Sequence, residues 1–307
     1  MKLRRTLLPI LCLAMLLLPA AVRGQGFQNH LHVQSCTQGR NWTAEDLVHN
    51  ILVGQGIQVD SVRFNGSMGV INCGVIGTFY TDSNAATTEI GLREGILIST
   101  GNISGAPGPN SSARTTTPYT CNGYSDTSLQ AIAGIDNNGN PYQLFNTSVL
   151  EFNFVPQTDS VGFRYVFASE EYPEYVGASY NDIFAFFVSG EKPGGGRYND
   201  TNIAIIPGTG QPVRIATVNE YINPQYYVDN WGTPFAQAFR NSRQTEYDGF
   251  TTVLTAYVHV IPCSTYHMRI SISDVNDSSL DSGVFLEAGS FSAKSVDVIL
   301  RTPDSTE

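Results

Sequence analysis

The chain has 307 residues, a formal charge of -10 and a charged fraction of 14%, against about 25% in ordinary soluble domains. This acidic balance excludes nucleic acids and anionic membranes as the main partners, because both are bound by clustered Lys and Arg. The length suits one large β domain or two small ones.

The first 24 residues have the pattern of a secretory signal peptide. Lys2, Arg4 and Arg5 precede an apolar run from Leu7 to Leu18, and small residues follow. Removal of residues 1–24 takes away four positive charges and no acid, so the formal charge falls from -10 to -14. The mature chain has no stretch of roughly 18 apolar residues, so we expect no transmembrane span in it.

After an N-terminal extension of residues 25–41, residues 42–53 form the best helix candidate. Thr43 can cap this helix, and Asp46 stands three residues later, as in a capping box. From there the chain reads as short strands separated by turn clusters, and βα units do not alternate. The predicted strands cover residues 57–64, 69–79, 95–100, 148–155, 160–169, 182–189, 202–206, 212–218, 250–261, 266–274 and 283–292.

The distribution of apolar residues within the strands indicates how they pack. Residues 150–155 and 266–273 are apolar at alternate positions, which is typical of strands with one buried face. Residues 183–188 are apolar at odd and even positions alike, which predicts a strand covered on both faces. The short segment 261–266 predicts an antiparallel hairpin with Pro262 in its turn.

These features predict an all-β fold, a jelly-roll-like two-sheet β-sandwich with a short N-terminal helix and long surface loops. The predicted domain spans residues 42–295. Residues 296–307 are interpreted as a C-terminal tail or the start of a linker.

Four cysteines remain in the mature chain, and an even number in an exported protein predicts disulfides. Their spacing contains no Cys-x-x-Cys pair, and all three possible connectivities stay open. The disulfide candidates are Cys36, Cys73, Cys121 and Cys263.

Acidic residues stand where apolar strands end in loops. Strands can hold such carboxylates rigidly while loops add carbonyl oxygens, and a hard cation such as Ca²⁺ prefers these ligands. The predicted calcium ligands are Glu170, Glu171, Asp182, Asp274, Asp277 and Asp281. Two alternatives remain open: the acids solvate strand ends, as most surface carboxylates do, or Glu170 or Glu171 with Asp182 forms a glycosidase pair.

A segment rich in aromatic residues, 219–247, is the second candidate for binding. The flat rings of Tyr226, Tyr227 and Trp231 could stack on a sugar or a peptide surface, with their polar edges hydrogen-bonding. The alternative is that these rings pack the segment onto the sandwich.

Several blocks, taken in order, resemble the choice-of-anchor L domain, a module of exported bacterial proteins that includes members from Bacteroidota. The resemblance implies a secreted or cell-surface protein and no defined biochemical activity. The resembling blocks are residues 95–101, 150–156, 163–172, 180–187, 202–208, 247–254 and 281–291.

Common catalytic motifs, such as Gly-x-Ser-x-Gly and His-Glu-x-x-His, do not occur in the sequence. We therefore expect a non-catalytic binding or adhesion module that is stabilised by Ca²⁺ and binds an extracellular glycan or protein. A secreted glycoside hydrolase with paired carboxylates is the alternative.

Overall fold

The structure is a computed structural model that describes residues 30–39, 41–82, 88–135, 138–231 and 245–293. The predicted signal peptide and the tail 296–307 lie outside the described residues. No helix in the described part is long and apolar enough to cross a membrane.

The described residues form fourteen strands in two antiparallel sheets, which confirms the predicted all-β sandwich. The strands are β1 (Leu31–Ser35), β2 (Ile57–Phe64), β3 (Ile76–Thr81), β4 (Glu94–Ser99), β5 (Leu144–Pro156), β6 (Ser160–Ser169), β7 (Ile183–Glu191), β8 (Arg197–Asn202), β9 (Tyr227–Asp229), β10 (Gly249–Thr251), β11 (Leu254–His259), β12 (Tyr266–Val275), β13 (Ser282–Glu287) and β14 (Ser292–Ala293).

The larger sheet has nine strands in the order β1-β3-β4-β13-β6-β10-β9, and β11 and β14 also pair with β6. The smaller sheet has five strands in the order β2-β5-β12-β7-β8. Strand β6 is the centre of the larger sheet, because β13 and β14 pair along one of its edges and β10 and β11 along the other.

The predicted hairpin at residues 261–266 is wrong. Strand β11 belongs to the nine-stranded sheet and β12 to the five-stranded sheet, so this segment connects the two sheets. The connections from β6 to β7 and from β12 to β13 also cross between sheets, and both lie at the end of the sandwich opposite to residues 261–266. Alternation of apolar residues shows which face is buried, but it does not show which sheet a strand joins.

The main core lies between the two sheets. Phe163 and Tyr165 from β6 pack against Phe186 from β7, with ring centroids 4.6 and 4.8 Å apart. The intervening residues of β6, such as Val166 and Ala168, face the other way and join a second cluster. Strand β6 therefore presents alternate side chains to two separate cores.

Strand β7 is covered on both faces, as its sequence predicts. Phe184 and Phe186 face the main core, whereas Ala185 and Phe187 pack in a third cluster. That cluster includes helix α2 (Thr127–Ala133), which covers the outer face of the smaller sheet.

The predicted N-terminal helix is present as α1 (Ala44–Leu47), which continues into a wider turn over Val48–Leu52. The capping box is confirmed, because the Asp46 backbone N–H donates to Thr43 Oγ1 and the Thr43 N–H donates to the Asp46 carboxylate.

One disulfide is present, between Cys73 and Cys121. It ties the turn before β3 to the irregular segment at residues 106–121, which we call the covering loop. The other two candidates are not bonded: Cys36 is a buried free thiol and Cys263 an exposed one. The prediction of disulfides is thus correct for one pair and wrong for the other two residues.

Candidate metal centre

The six predicted calcium ligands do not surround one point. Three of them, Glu171, Asp182 and Asp274, lie at the end of the main core between the sheets, and we call them the inner cluster. Glu170 and Asp281 lie on the opposite, outer face of the nine-stranded sheet. Glu170 and Glu171 separate in this way because successive residues at a strand end point to opposite faces.

Asp277, the sixth predicted ligand, lies in the connection between β12 and β13. It is only partly buried, and its Oδ1 accepts a hydrogen bond from the Ser279 backbone N–H at 2.9 Å. Asp277 therefore caps a turn, as the alternative reading of the acidic residues predicts.

The inner cluster joins the two sheets. Asp182 and Asp274 stand opposite each other, one position beyond the pair Ile183 and Ser273 of β7 and β12. Glu171 comes from the end of β6 in the other sheet, and its Oε2 accepts the Asp182 backbone N–H at 3.1 Å.

Neighbouring donors hold the inner carboxyl groups in place. Asp182 accepts the Ser282 hydroxyl at 2.6 Å and the Val275 backbone N–H at 3.2 Å. Asp274 Oδ2 accepts the Asn146 amide at 2.7 Å, but Asp274 Oδ1 is buried without a hydrogen-bond partner.

The inner carboxyl groups have raised pKa values. Burial raises the pKa of Glu171 to about 8. Burial, followed by the charges of Glu171 and Asp274, raises the pKa of Asp182 well above its usual range. Burial raises the pKa of Asp274 well above the usual range despite the hydrogen bonds of Thr100 and Asn146, and the charges of Asp281 and Glu171 add to the increase.

The outer cluster consists of Glu170, Asp248, Asp281 and Asn110. Strand β6 pairs Ser169 with Gly249 of β10 and with Ser282 of β13, so the next position places Glu170 between Asp248 and Asp281. The hydrogen bond from the Glu170 N–H to the Asp281 carbonyl, 3.0 Å, continues the ladder on that side.

The covering loop supplies hydrogen-bond donors to this row of acids. The Thr115 N–H donates to Glu170 Oε2 at 3.3 Å, and the Thr117 N–H donates to Asp281 Oδ2 at 2.9 Å. The Asn110 amide donates to Asp248 Oδ1 at 2.6 Å.

Burial also raises the pKa values of the outer acids. Burial, with the charges of Asp248, Glu246 and Asp281, raises the pKa of Glu170 to about 10. Burial raises the pKa of Asp248 to about 8 despite the Asn110 hydrogen bond. It raises the pKa of Asp281 to about 6 despite the hydrogen bonds from Thr117.

Neither cluster contains a compensating positive charge. In the described ranges, the side-chain ion pairs of Lys, Arg and His involve other acids, so none neutralises Glu170, Glu171, Asp182, Asp248, Asp274 or Asp281. No group of three or more His, Cys, Asp or Glu side chains among the described residues is arranged to hold a metal ion. An ion could therefore bind at either cluster only if carboxyl groups turned toward a common point.

The aromatic candidates are partly used in packing. The Tyr227 ring lies 4.9 Å from that of Tyr172, a residue of the main core, and Tyr226 also packs against this core. Trp231 is half-buried. A ligand-binding role for these three residues stays a prediction. Tyr221, which is 77% exposed, is the most exposed aromatic side chain among the described residues of this segment, and its hydroxyl lies beside Glu220.

Sequence reasoning missed Asp248, Glu246 and Asn110. Asp248 stands just before an apolar strand, as Asp182 and Asp281 do, so the same criterion could have found it. Asn110 lies in a loop with no periodic pattern, and only the folded arrangement reveals its contact with Asp248.

The fold and this site define an antiparallel β-sandwich module with buried acidic side chains at one end. The family model for the choice-of-anchor L domain matches residues 34–292, and the chain belongs to this family. Membership indicates a surface-associated module. Comparison with curated proteins and with solved structures gave no significant match.

Proposed function

We propose that the protein is an exported, surface-associated and non-catalytic binding module whose folded state is stabilised by Ca²⁺ at the inner cluster. The observation that carries the proposal is the burial of Glu171, Asp182 and Asp274 together, from both sheets, with no cationic partner in the described chain.

The energetics of buried charge support this proposal. An ionised carboxylate that is buried without a partner is strongly unfavourable, so the group must be protonated or paired with a cation. Ca²⁺ binds six to eight oxygens in flexible geometry, which carboxylates, carbonyls and water can supply. Asp274 Oδ1 could bind such an ion, because no donor meets hydrogen-bond geometry there, although the Thr100 side chain lies close enough to act on the Asp274 carboxyl group.

An ion at this position would act at the junction of the sheets. Glu171 belongs to the connection between β6 and β7, and Asp274 lies at the end of β12, where the chain leaves for β13. Binding would therefore join both sheets and fix the two connections, residues 170–182 and 276–281, that form this end of the surface.

The surface ligand is proposed to be an extracellular glycan or protein. Tyr175 and Tyr180, in the connection from β6 to β7, stand with ring centroids 5.9 Å apart, and Tyr180 is partly exposed. Aromatic rings at the surface suit both classes of ligand. Tyr226, Tyr227 and Trp231 remain proposed contacts on the neighbouring segment.

The hydrolase alternative receives less support. Glu170, Glu171 and Asp182 are each only 1% exposed, whereas a glycosidase needs both carboxyl groups at the scissile bond of a bound sugar. Glu170 lies on the outer face of the larger sheet, whereas Asp182 lies between the two sheets next to β7, so these two residues do not flank one cleft.

The test is thermal unfolding of the mature chain in EGTA, in Mg²⁺ and in Ca²⁺. Ca²⁺ should raise the melting temperature, because an ion that binds only the folded state stabilises it by about 2.7 kcal/mol at 100 times Kd. Asp274→Asn should reduce this response, and Asp277→Asn, the partly buried control, should keep it. An unchanged melting temperature in the unmodified chain would contradict the proposal.

A glycan array probed with and without EGTA then addresses the ligand. Binding without release of sugar products supports a binding module. Product release that is lost in Asp182→Asn would instead support the hydrolase.

A further inference from the structure

We infer that the outer cluster is a second calcium site, separate from the inner one, formed by Glu170, Asp248, Asp281 and the side-chain oxygen of Asn110. This inference goes beyond the proposed function, because it concerns a different set of residues on the opposite face of the nine-stranded sheet.

The register of three neighbouring strands brings the carboxyl groups together. Glu170 at the end of β6 stands between Asp248, which precedes β10, and Asp281, which precedes β13. Residues directly opposite in antiparallel strands have Cβ atoms about 5 Å apart, and like charges at this spacing are destabilising. A row of three buried acids must therefore be protonated or neutralised by a cation.

Three oxygens of the cluster are buried without any hydrogen-bond partner. They are Asn110 Oδ1, Asp248 Oδ2 and Asp281 Oδ1, and the three residues are 4%, 0% and 5% exposed. Each unsatisfied buried acceptor destabilises the fold by roughly 1 to 3 kcal/mol. An oxygen-seeking cation would satisfy these acceptors once the carboxyl groups turned toward a common point, since the described acids do not yet surround one.

The orientation of the Asn110 amide is fixed by its contacts. Its nitrogen donates to Asp248 Oδ1 at 2.6 Å and to the Asn230 carbonyl at 3.1 Å. The Asn230 carbonyl can only accept, and so can Asp248 when it is ionised or bound to a cation, so a reversed amide would then lose both hydrogen bonds. Asn110 Oδ1 is thus the atom left free beside Asp248.

Asp248 and Asp281 each have one oxygen held by the protein and one without a partner, and one oxygen of Glu170 is also held. Asn110 holds Asp248 Oδ1, Thr117 holds Asp281 Oδ2, and Thr115 holds Glu170 Oε2. Metal-binding carboxylates are commonly oriented by hydrogen bonds of this kind from a second layer of residues. The donors of the covering loop therefore orient the carboxyl groups, as the outer residues of a metal site commonly do.

The backbone leaves room for the Asp281 carboxylate. A Cβ atom at Gly101 would stand 2.1 Å from Asp281 Oδ2, so any side chain there would displace the carboxyl group. The ligand set contains oxygen only, which favours Ca²⁺ over Zn²⁺. Ca²⁺ also tolerates irregular geometry better than Mg²⁺, and the carboxyl groups must still turn to meet the ion.

An ion at this position would fasten the covering loop to the sheet. Glu246 also holds the loop, because its carboxylate accepts the Ser111 N–H at 3.0 Å and the Thr115 hydroxyl at 3.2 Å. The outer site would order the loop on one sheet, whereas the inner site would join the two sheets.

The test is the number of ions bound per chain, measured by calorimetric titration with Ca²⁺ and by native mass spectrometry of the mature protein. The unmodified chain should bind two ions, and Asp248→Asn should bind one. Asp274→Asn should also bind one, from the other site, and Asp277→Asn should bind two. Circular dichroism checks that each variant is folded, and Asn110→Ala replaces Asp248→Asn if that variant is not.

The outcomes separate this inference from the proposed function. Loss of a single bound ion in Asp274→Asn, with no change in Asp248→Asn or Asn110→Ala, would overturn the second site and leave the first. Loss of a single ion only in the outer variants would support the second site and contradict the first. An unmodified chain that binds no ion would overturn both.

Discussion

Asp182 and Asp274 face each other across β7 and β12, one position past the pair Ile183 and Ser273. Both side chains are buried, and burial together with the charges of Glu171 and Asp274 raises the pKa of Asp182 well above its usual range. Together with the outer acids, they place an unusual amount of titratable charge at one end of the sandwich. The stability of the protein should therefore respond to pH and Ca²⁺ together.

The first prediction concerns pH in the absence of calcium. The folded pKa values of Asp281, about 6, and of Glu171 and Asp248, about 8, exceed the ordinary values of 3.8 for Asp and 4.5 for Glu. The folded state then binds more protons than the unfolded state, so the free energy of unfolding falls as pH rises. Their contribution is complete below about pH 4 and is lost between pH 4 and 8.

Urea unfolding in EGTA at pH 5, 6.5 and 8 measures this effect. Stability should decrease from pH 5 to pH 8 in EGTA, and saturating Ca²⁺ should reduce or reverse the decrease. If the free energy of unfolding in EGTA did not change between pH 5 and pH 8, these acids would be ionised without destabilising the fold, which contradicts the prediction.

The second prediction concerns Asp274→Asn. An asparagine can keep its carbonyl oxygen on the Asn146 amide and place its NH₂ group where Asp274 Oδ1 has no partner. The substitution removes a buried ionisable group, so we expect the variant to be more stable in EGTA at pH 8 by about 1 to 2 kcal/mol.

The gain should disappear in Ca²⁺, because the variant lacks one ligand of the proposed inner site. Asp277→Asn provides the matched control, since Asp277 only caps a turn at Ser279. Equal stability of the variant and the unmodified chain in EGTA at pH 8 would contradict a repulsive inner cluster.

The sequence predicted the sandwich from the two-residue period of its strands, and the same period explains why Glu170 and Glu171 lie on two faces. It could not predict that segment 261–266 connects two sheets, since pairing between distant strands depends on the whole core. For the same reason it grouped six acids around one ion. The registers of β6 with β10 and β13 were needed to place Asp248 beside Glu170.

The third prediction tests the room around Asp281. Gly101→Ala would place a methyl group 2.1 Å from an Asp281 oxygen, so the side chain or the backbone must shift. We expect a loss of about 1 to 3 kcal/mol and weaker binding of the outer ion. Gly123→Ala is the control, because nothing lies within 4 Å of a Cβ atom there. Equal unfolding curves for the two variants would disprove the close approach.

The fourth prediction concerns the disulfide. Cys73 and Cys121 are separated by 48 positions, and closing a loop of this length should stabilise the fold by about 4 kcal/mol in the chain-entropy description. In the double variant Cys73→Ser, Cys121→Ser, the free energy of unfolding measured in urea should fall by much of this amount. Because Cys121 ends the covering loop, the variant should also bind the outer ion more weakly than the inner one. Cys263→Ser, at an exposed free thiol, is the control and should unfold and bind Ca²⁺ as the unmodified chain does.

The final prediction contrasts the acidic clusters with a site where the protein supplies its own cation. On the outer face of the smaller sheet, Arg269 pairs with Asp126 at 2.8 Å and with Asp200 at 3.0 Å, and Asp126 also accepts the Ser271 hydroxyl. Arg269→Met would leave Asp126 buried and unpaired, with an expected loss of about 3 to 5 kcal/mol. Calcium should not restore the lost stability, because neither proposed ion site includes Asp126.

The control is Arg197→Met, which removes an exposed ion pair with Glu191 and should change stability by less than about 1 kcal/mol. A similar small effect for Arg269→Met would mean that a buried acid in this fold needs no cation, so burial of the acids at the other site would no longer favour calcium there.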